Sequence, residues 1–545
     1  MSTVNWFEQE PALKRLLQRQ LGPAYAKAQP RLVQMGAKSA TDVAAWSELA
    51  DRHGPRLVVR NREGVRLDDI EYHPAYRWMQ EVAYGGGIVA ATYDPALAPE
   101  RGKRPKALTF GLGYLFGQAE AGLFCPVCMT DGAARLVDKF GTAEQKARFI
   151  PRLASRDLKT LYTGAMFLTE KEGGSDVGQA VTVAKGAGAT AKLYGEKWFC
   201  SNVDADVIMI LARPEGAAAG TRGLGLYLLP KTLENGARNA FRIERIKDKL
   251  GVRSMPTGEV VLEGAQAYLL GGPGEGFRQM AEMLNLSRLY NAVASIGAMR
   301  RALVEAMAWA ESRVAFGKKL IEHPLMSEVL MDLAAESRVA LHLVFRAVEL
   351  LDRVDAGEAT PKEAKALRLL TPLVKYSTAK RCVWAASEAI EALGGNGYIE
   401  DWPTARLLRD AQVLPVWEGA TNVLVLDAFR AIRKESAHEG FFGELEALAA
   451  DAPKDIRSAL GTQTELLFEA LGALGKDPGG EHALKDWTDR AAVVWSVALA
   501  ASPGAGGGTD SDLRAAHRII DRHLRSGLLR KDRASPADVR AVAWA

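Results

Sequence analysis

The chain has 545 residues, of which 48% are apolar and 25% charged, with 52 Gly and 23 Pro. These fractions are those of an ordinary globular protein, so they exclude a disordered, collagen-like or disulfide-scaffold chain, and the length predicts about three to four domains. With 70 basic and 66 acidic residues the net charge is +4, which argues against a wholly basic nucleic-acid binder but allows a local basic patch.

Cysteine usage and the N-terminus bear on where the protein works. Four Cys occur in the whole chain, which is typical of a reducing compartment. No run of about 18 apolar residues occurs, and the first ten residues are polar and partly acidic, so neither a transmembrane helix nor a secretory signal is predicted. We expect a soluble, cytoplasmic protein that does not associate with membranes.

Four segments are predicted along the chain from its periodicity. Residues 1–156 are expected to be mainly helical, because apolar residues recur there at three- and four-residue spacing. Residues 157–275 contain short β-rich runs separated by Gly, which predict a compact β domain. Long helical stripes return over 276–435, and shorter helices broken by Gly-rich turns follow over 436–545. The expected fold class is therefore α+β.

Five short motifs follow one another from the start of the β segment, and each alone is typical of an ordinary turn, hairpin or helix end. Paired Gly lets a backbone approach a flat or phosphorylated ligand, and short hydroxyl side chains donate hydrogen bonds to it. The motifs span residues 167–176, 195–202, 313–317, 393–398 and 416–421. Their order and spacing together resemble the acyl-CoA dehydrogenase family of flavoproteins, over about residues 75–435.

That resemblance implies an N-terminal helical domain, a middle β domain and a helical bundle, with the cofactor FAD between the β domain and the bundle. Within it, Thr169 and Ser175 match the family's flavin-contacting hydroxyls. Phe199 stands where the family often has a Trp against the flavin, and Ser201 stands where it has a Thr. Both departures are conservative, since one ring replaces another and one hydroxyl replaces another.

Further family positions lie in the helical bundle. Arg313 and Phe316 match the Arg-x-x-Phe-Gly motif, which in the family contacts the FAD pyrophosphate and adenosine of a neighbouring subunit. An Arg suits that role because its planar fork pairs with two phosphate oxygens. Glu391, Gly394 and Gly395 match a segment contributed to the same FAD, with Glu391 where many members carry Gln. The resemblance thus implies a site shared between chains, and we expect a homotetramer.

Glu418 is the candidate catalytic base, because it matches the Glu of the family's Tyr-Glu-Gly-Thr motif. Removing the α-proton of an acyl-CoA thioester requires a carboxylate close to the substrate carbon and shielded from water, so that its pKa rises toward neutrality. The β-hydride then passes to the flavin, a step that belongs to the cofactor. Without the other motifs, a helix-capping Glu at the surface would be the ordinary interpretation.

Arg288 matches the Arg of the family's substrate-binding segment, in which Asn285 replaces the usual Asp. This departure weakens the case for ordinary acyl-CoA recognition.

Cys125 and Cys128 form a Cys-x-x-Cys pair without the second ligand pair of a zinc site or the βαβ setting of a redox motif. We expect them to be small buried residues at the start of a helix, and we expect no metal.

The chain continues from Glu418 to residue 545, whereas ordinary family members end soon after this segment. The extension and the motif spellings look like the AidB branch of the family, which is linked to the bacterial adaptive response to DNA alkylation. Members of that branch keep FAD, form tetramers and bind double-stranded DNA through the C-terminal region. The resemblance therefore implies DNA as a second partner beside an acyl-CoA or related small molecule.

A row of arginines in the extension gives that implication a physical basis. Arg514, Arg518, Arg522 and Arg525 recur at four-, four- and three-residue spacing, which places them on one helix face. Such a face could neutralise DNA phosphates without reading sequence. The alternative is a helix face whose arginines are solvated and pair with acidic neighbours.

Three hypotheses remain open from the sequence. The first is an FAD-dependent acyl-CoA dehydrogenase with Glu418 as base, and the second is a DNA-associated AidB-type flavoprotein with weak dehydrogenation. The third is an oligomeric scaffold with vestigial flavin binding. The extension, Asn285 and the arginine row favour the AidB type, and the main alternative is an ordinary short- or branched-chain acyl-CoA dehydrogenase with no DNA role.

Overall fold

The structure, a computed structural model, describes residues 4–94, 97, 106–186, 188–272, 274–476, 480–524 and 534–545. The chain folds into two compact units. The first unit combines Met1–Ser39, Pro99–Ala119 and Asn291–Ala545, and the second combines Ala40–Ala98 with Glu120–Tyr290. These units follow spatial proximity rather than chain order, so the three predicted segment boundaries, after residues 156, 275 and 435, stay predictions.

Helices form most of the described chain. They are α1 (Pro11–Leu21), α2 (Tyr25–Lys38), α3 (Ala44–Arg52), α4 (Pro74–Ala83), α5 (Ala90–Tyr93), α6 (Lys106–Gly117), α7 (Phe124–Phe140), α8 (Ala143–Leu153), α9 (Gly276–Ser312), α10 (Pro324–Asp355), α11 (Pro361–Leu393), α12 (Gly395–Tyr398), α13 (Pro403–Ala411), α14 (Thr421–Glu435), α15 (His438–Asp451), α16 (Lys454–Lys476), α17 (Leu484–Ala501), α18 (Asp510–His523) and α19 (Pro536–Trp544). Within the described ranges, none of them combines the length and apolar character needed to span a bilayer.

The strands belong to one large sheet and two hairpins. They are β1 (Arg56–Arg60), β2 (Arg66–Glu71), β3 (Gly164–Phe167), β4 (Val183–Lys185), β5 (Thr190–Ser201), β6 (Val207–Pro214), β7 (Gly225–Pro230), β8 (Phe241–Ile246), β9 (Thr257–Leu270), β10 (Val314–Ala315) and β11 (Lys318–Lys319). β1 pairs with β2 and β10 with β11. The first predicted segment thus contains a hairpin as well as helices, which the helical periodicity did not reveal.

The second unit is built on the sheet of β3 to β9. β6 pairs with both β4 and β7, so the ladder β6–β4–β5–β9–β7 closes on itself, while β3 adds to β6 and β8 adds to β9. Buried apolar side chains such as Phe167, Leu193 and Ile210 fill the interior of this ring. The middle β domain predicted from Gly-separated apolar runs is confirmed.

In the first unit, α11 carries or adjoins several candidate residues. It begins with a capping box in which Thr360 Oγ1 accepts the N–H of Glu363 at 3.2 Å and the Glu363 carboxylate accepts the N–H of Thr360 at 2.8 Å. It ends at Gly394, whose φ of +63° only Gly adopts readily. The C-terminal helices α15 to α19 belong to the same unit, and α18 packs against α10 and α17.

Candidate active site

Thr169 lies in a loop directly after β3, and a backbone hydrogen bond attaches this loop to β5. The carbonyl oxygen of Thr169 accepts the N–H of Trp198 at 2.9 Å. Thr169 is half-buried, and Ser175, farther along the same loop, is exposed. Both hydroxyls predicted to contact a flavin therefore belong to one loop at the surface of the β domain.

A β-bulge in β5 turns two aromatic residues outward together. Between Lys197 and Cys200, two residues of β5 stand opposite a single residue of β9. Lys197 and Cys200 are buried, whereas Trp198 is half-buried and Phe199 is 56% exposed. The Lys247 ammonium lies 3.8 Å from the Trp198 ring centroid and 4.7 Å from that of Phe199. A large ring left exposed in this way suits stacking against a flat conjugated ligand.

Ser201 ends β5, two residues beyond Phe199, and its hydroxyl lies 3.4 Å from the Thr257 hydroxyl. It is half-buried, so the hydroxyl can also reach a ligand. The hydrogen bond between the Thr169 loop and β5 keeps Thr169 beside the strand that carries Phe199 and Ser201. The two hydroxyls can donate hydrogen bonds to the polar edge of a flavin, and the exposed Phe199 ring can stack on its face.

Arg288 lies on α9, where its Nη1 donates to Asn285 Oδ1 at 3.1 Å, one helical turn earlier. An amide accepts this hydrogen bond without carrying a charge. The family's usual Asp would carry a negative charge at this position, whereas Asn285 contributes none. This arrangement suits an Arg that binds an anionic group of a ligand.

Glu418 occupies a strained turn between α13 and α14. Its φ of +57° lies in the left-handed region, and Gly419 next to it has a φ of +102°. This conformation costs a residue with a Cβ about 1–2 kcal/mol. The residue is half-buried. Strain of this kind persists where surrounding contacts hold it and is frequent at active sites.

Lys375 supplies one of these contacts. Its side chain is fully buried on α11, and Nζ donates a 2.6 Å hydrogen bond to the carbonyl oxygen of Gly419. Sequence analysis missed this residue. The available signal was a single cation inside the otherwise uncharged run 370–376 of a buried helix, since Lys is almost never buried without a partner.

Arg313 precedes a hairpin whose tip is Phe316. The two-residue loop between β10 and β11 has φ values of +50° at Phe316 and +82° at Gly317, as in a type I′ turn. Phe316 is 96% exposed despite its apolar ring. The exposed Arg313 guanidinium lies 5.8 Å from the Trp309 ring centroid. The hairpin therefore presents an aromatic ring that is free to pack against a second molecule.

The backbone directly after α11 can be approached closely by another molecule. A Cβ added at Gly394 or Gly395 would meet no atom within 4 Å. Glu391 is exposed on the last turn of α11, and Tyr398 beyond the glycines is 81% exposed. These residues therefore leave room for a ligand or a second chain at the place where the sequence predicted one.

The candidate residues fall into two sets according to the unit that carries them. Those of the second unit are Thr169, Ser175, Phe199, Ser201 and Arg288, and those of the first are Arg313, Phe316, Glu391, Gly394, Gly395 and Glu418. Hydrogen bonding joins the Thr169 loop to β5 within the second unit. Within the first unit, Lys375 of α11 is joined to the turn that carries Glu418.

The predicted arginine face of α18 is not an open phosphate-binding surface, and this expectation is corrected. Arg518 is buried, with Nε 2.6 Å from Asp332 and Nη1 2.7 Å from Glu328 of α10. Arg522 also pairs with Asp332, and its guanidinium lies 4.3 Å from the ring centroid of Trp384. Helical periodicity does align Arg518 with Arg522, but both face an acidic row on α10 rather than solvent.

The other two members of the row differ from these. Arg514 is exposed and pairs with Asp538 of α19, and Arg525 lies outside the described residues.

The two cysteines of the Cys-x-x-Cys pair lie in the first turns of α7, where Cys125 is partly buried and Cys128 is buried, and neither forms a disulfide. Across the described part of the chain, no group of three or more His, Cys, Asp or Glu side chains is placed to hold a metal ion.

Three family models match the chain. The acyl-CoA dehydrogenase C-terminal domain matches residues 274–432, and the acyl-CoA dehydrogenase middle domain matches residues 165–265. The N-terminal domain of the adaptive response protein AidB matches residues 1–159. The matched segments include every candidate residue for flavin, substrate and proton transfer, whereas the arginine row lies beyond them.

Known proteins resemble the chain over most of its length. Acyl-CoA dehydrogenase family member 11 of Caenorhabditis elegans is 35% identical, over 87% of this chain and 78% of its own. The putative acyl-CoA dehydrogenase AidB of Escherichia coli is 35% identical, over 71% of each chain. The crystal structure of C. elegans ACDH-11 in complex with C11-CoA matches with a TM-score of 0.90 and 31% identity, over 98% of this chain and 94% of that one. The last comparison extends through the C-terminal helices.

Proposed function

The chain belongs to the acyl-CoA dehydrogenase family, and we propose that it is an AidB-type, FAD-dependent oxidoreductase that dehydrogenates an acyl-CoA with Glu418 as base. The observation that carries this proposal is the turn at Glu418. A carboxylate stands there in a strained backbone conformation, and a buried Lys375 holds the adjoining carbonyl. The strained conformation costs backbone stability, and the contact from Lys375 holds the turn that carries the carboxylate in place.

FAD fits the surface that the second unit presents. The exposed ring of Phe199 offers a stacking face, and the Thr169 and Ser201 hydroxyls offer hydrogen bonds to the polar edge of an isoalloxazine ring. When bound, FAD supplies the acceptor for the hydride that leaves the β-carbon. The residues of the chain bind and orient the cofactor, and they hold the base that takes the α-proton.

Within this reaction the carboxylate of Glu418 receives the α-proton of the thioester. Lys375 fixes the backbone at Gly419 and so limits the positions available to that carboxylate. Arg288, whose Asn285 contact adds no negative charge, is proposed to bind an anionic group of the acyl-CoA. These roles divide the work into proton removal, positioning of the base and recognition of the substrate.

We further propose that the chain works as a homo-oligomer, for which the family resemblance predicts a tetramer. The exposed tip at Phe316 and the open segment at Gly394 and Gly395 would receive the neighbouring chain and the pyrophosphate and adenosine of its FAD. Arg313, exposed beside the hairpin, would pair with the phosphate oxygens. An aromatic ring that is 96% exposed in a strained loop supports this assignment.

Double-stranded DNA binding through α18 is not included in this proposal. The face that was predicted to bind phosphates is occupied by ion pairs, because Arg518 and Arg522 face Glu328 and Asp332 of α10. Arg514 alone among the described members of the row is exposed, and it pairs with Asp538. We assign Arg518 and Arg522 to the packing of the C-terminal helices.

The proposal is tested by anaerobic flavin bleaching. The purified protein should carry FAD and lose its flavin absorbance on addition of at least one acyl-CoA from a panel that includes isovaleryl-CoA, butyryl-CoA and C11-CoA. Glu418→Gln should retain FAD but bleach about 10²–10⁴-fold more slowly, as expected for loss of a general base. Glu469→Gln, at an exposed position of α16, is the matched control and should bleach at the parent rate.

Two results would contradict the proposal at different points. A colourless protein that cannot be reconstituted with FAD would exclude the flavoprotein assignment. An FAD-loaded protein that no acyl-CoA bleaches, or a Glu418→Gln variant that bleaches at the parent rate, would exclude the assigned dehydrogenation chemistry.

A further inference from the structure

A buried ion pair lies beneath the surface assigned to the flavin. Glu170 Oε1 and Lys197 Nζ are 2.5 Å apart, and both side chains are at most 1% exposed. The Glu170 carboxylate also accepts hydrogen bonds from the Thr182 hydroxyl at 2.5 Å and from the backbone N–H of Val181 at 2.6 Å. Burial alone would raise the pKa of Glu170, but the adjacent ammonium and these donors outweigh it and lower that pKa.

Lys197 uses its remaining donors on the backbone. Nζ donates to the carbonyl oxygen of Leu211 at 3.1 Å and to that of Leu168 at 3.4 Å. Counting Glu170, this ammonium has three acceptors for its three N–H groups. One side chain on β5 is thereby joined to β6 and to both residues that flank Thr169.

The pair and the proposed flavin contacts are adjacent in sequence on both segments. Thr169 directly precedes Glu170, and the bulge residues Trp198 and Phe199 directly follow Lys197. The Trp198 N–H donates to the Thr169 carbonyl oxygen at 2.9 Å, so a backbone bond links the same two segments one residue closer to the surface. A shift of the pair would therefore move the Thr169 loop relative to the bulge.

A contribution to folding stability does not by itself explain why the Glu170–Lys197 pair is buried here. Removing two charges from water is costly, and replacing a buried ion pair by apolar residues of similar volume is often neutral or stabilising. A fully satisfied polar network does, however, fix one relative arrangement of the segments it joins more tightly than apolar packing does. That property matters where the positions of a hydroxyl and a ring must match a rigid ligand.

We propose that Glu170 and Lys197 are positioning residues for the flavin, which hold the Thr169 loop and the Phe199 bulge in the arrangement that receives the isoalloxazine ring. Neither residue touches the ligand in this role. The inference rests on the proposed function in one respect, since it takes this surface as the flavin site. Its test therefore includes a measurement on the protein without flavin.

The experiment compares two matched double variants. Glu170→Met with Lys197→Met replaces the buried pair by apolar side chains. Lys171→Met with Glu196→Met removes the neighbouring pair, which joins the same two segments at 2.5 Å but is about half exposed. The Lys171 ammonium also lies 5.0 Å from the Trp198 ring centroid, and Met at that position keeps an apolar side chain of similar length near the ring. An exposed pair contributes little to structure, so this second variant controls for the loss of two charges.

Three properties are measured on each protein: the free energy of unfolding, amide hydrogen exchange at Trp198 in the apoprotein, and the dissociation constant for FAD. For the buried-pair variant we expect near-parental unfolding but exchange at Trp198 and an FAD dissociation constant both raised about tenfold or more, the effect of losing a buried hydrogen-bonded group. The surface-pair control should stay within about twofold of the parent in both measurements.

The inference is overturned if the buried-pair variant exchanges at Trp198 and binds FAD as the parent does. It is also overturned if the surface-pair control changes as much as the buried-pair variant. Should the double Met variant fail to fold, Glu170→Gln provides the same comparison, because it keeps the side-chain shape while removing the counter-charge of Lys197. A parent that binds no FAD would refute the proposed function, and exchange at Trp198 would still decide whether the pair joins the segments.

Discussion

The buried ammonium of Lys375 donates a 2.6 Å hydrogen bond to the carbonyl oxygen of Gly419, the residue that follows Glu418. The donor lies in the middle of a 33-residue helix, α11, whose two ends are capped. The acceptor lies in a turn where two successive residues have positive φ. The helix α11 therefore supports the strained turn that carries Glu418, the candidate base.

Lys375→Met should reduce catalysis while leaving FAD in place. The variant removes the donor to Gly419, so the turn can relax and the carboxylate of Glu418 can leave the position suited to proton removal. We expect the maximal bleaching rate to fall about tenfold or more and the free energy of unfolding to fall by about 1–3 kcal/mol. KM should change little. Lys380→Met, at an exposed position of α11, is the control. A parental bleaching rate in Lys375→Met would show that this hydrogen bond does not position the base.

Phe316→Gly should weaken the association of chains without destabilising the single folded chain. Gly adopts a φ of +50° without strain, so the substitution should leave the stability of the single chain unchanged or raise it by about 1 kcal/mol. Removal of an exposed aromatic anchor should weaken association and FAD retention together. Sedimentation at several protein concentrations and the flavin content measure both effects. Phe316→Tyr, which keeps the ring, should behave as the parent. Unchanged assembly in Phe316→Gly would remove the hairpin from the proposed interface.

Periodicity and turn residues were sufficient to predict the α+β fold and its middle β domain. They were not sufficient for features that depend on which segments meet in space. The bulge at Trp198 and Phe199 results from strand register, because one extra residue on β5 must be accommodated opposite β9. Likewise, no local pattern shows that Lys375 reaches Gly419, which is 44 residues away in the chain.

The arginine row is a second case in which the sequence placed residues on an element without showing what they contact. Its spacing predicted one helix face, and Arg518 and Arg522 do share a face of α18, but the sequence did not indicate what covers it. The complementary signal was present in α10, where Glu328, Asp332 and Glu336 recur at four-residue spacing in a largely apolar helix. Two rows of opposite charge at equal spacing are suited to pack against each other. Considering them together would have favoured the interior role of Arg518 over a phosphate-binding role.

Reversal of Arg518 and Arg522 to Glu should destabilise the protein rather than act selectively on DNA. The two new carboxylates would face Asp332 and Glu328 in a largely buried interface. Disrupting buried pairs in this way typically costs about 3–5 kcal/mol, which chemical denaturation would detect. Arg514→Glu is the control, since it disrupts an exposed pair and should cost at most about 1 kcal/mol. Parental stability with selective loss of duplex DNA binding in the double reversal would restore the phosphate-binding interpretation.

The same interface predicts a dependence of stability on acid. Burial opposes ionisation of Glu336, but Arg381 at 3.4 Å, His523 at 2.5 Å and Arg522 at 3.5 Å outweigh it and lower the Glu336 pKa to about 2. A carboxyl whose pKa is lower in the folded chain stabilises it above the unfolded pKa, which is 4.5 for this group. The contribution is therefore complete above about pH 5 and is lost as the pH falls toward 2, a change of about 3 kcal/mol.

Glu336→Gln should remove this dependence, because Gln cannot ionise. Urea unfolding at a series of pH values from 7 to 2.5 should show that the parent loses up to about 3 kcal/mol more than the variant over the acid range. At pH 7 the variant should be less stable than the parent, since Arg381 and Arg522 lose a buried counter-charge. Glu469→Gln, exposed on α16, should follow the parent at every pH. Parallel profiles for the parent and Glu336→Gln would show that Glu336 is not the group responsible, and that the α10–α18 interface does not depend on its ionisation.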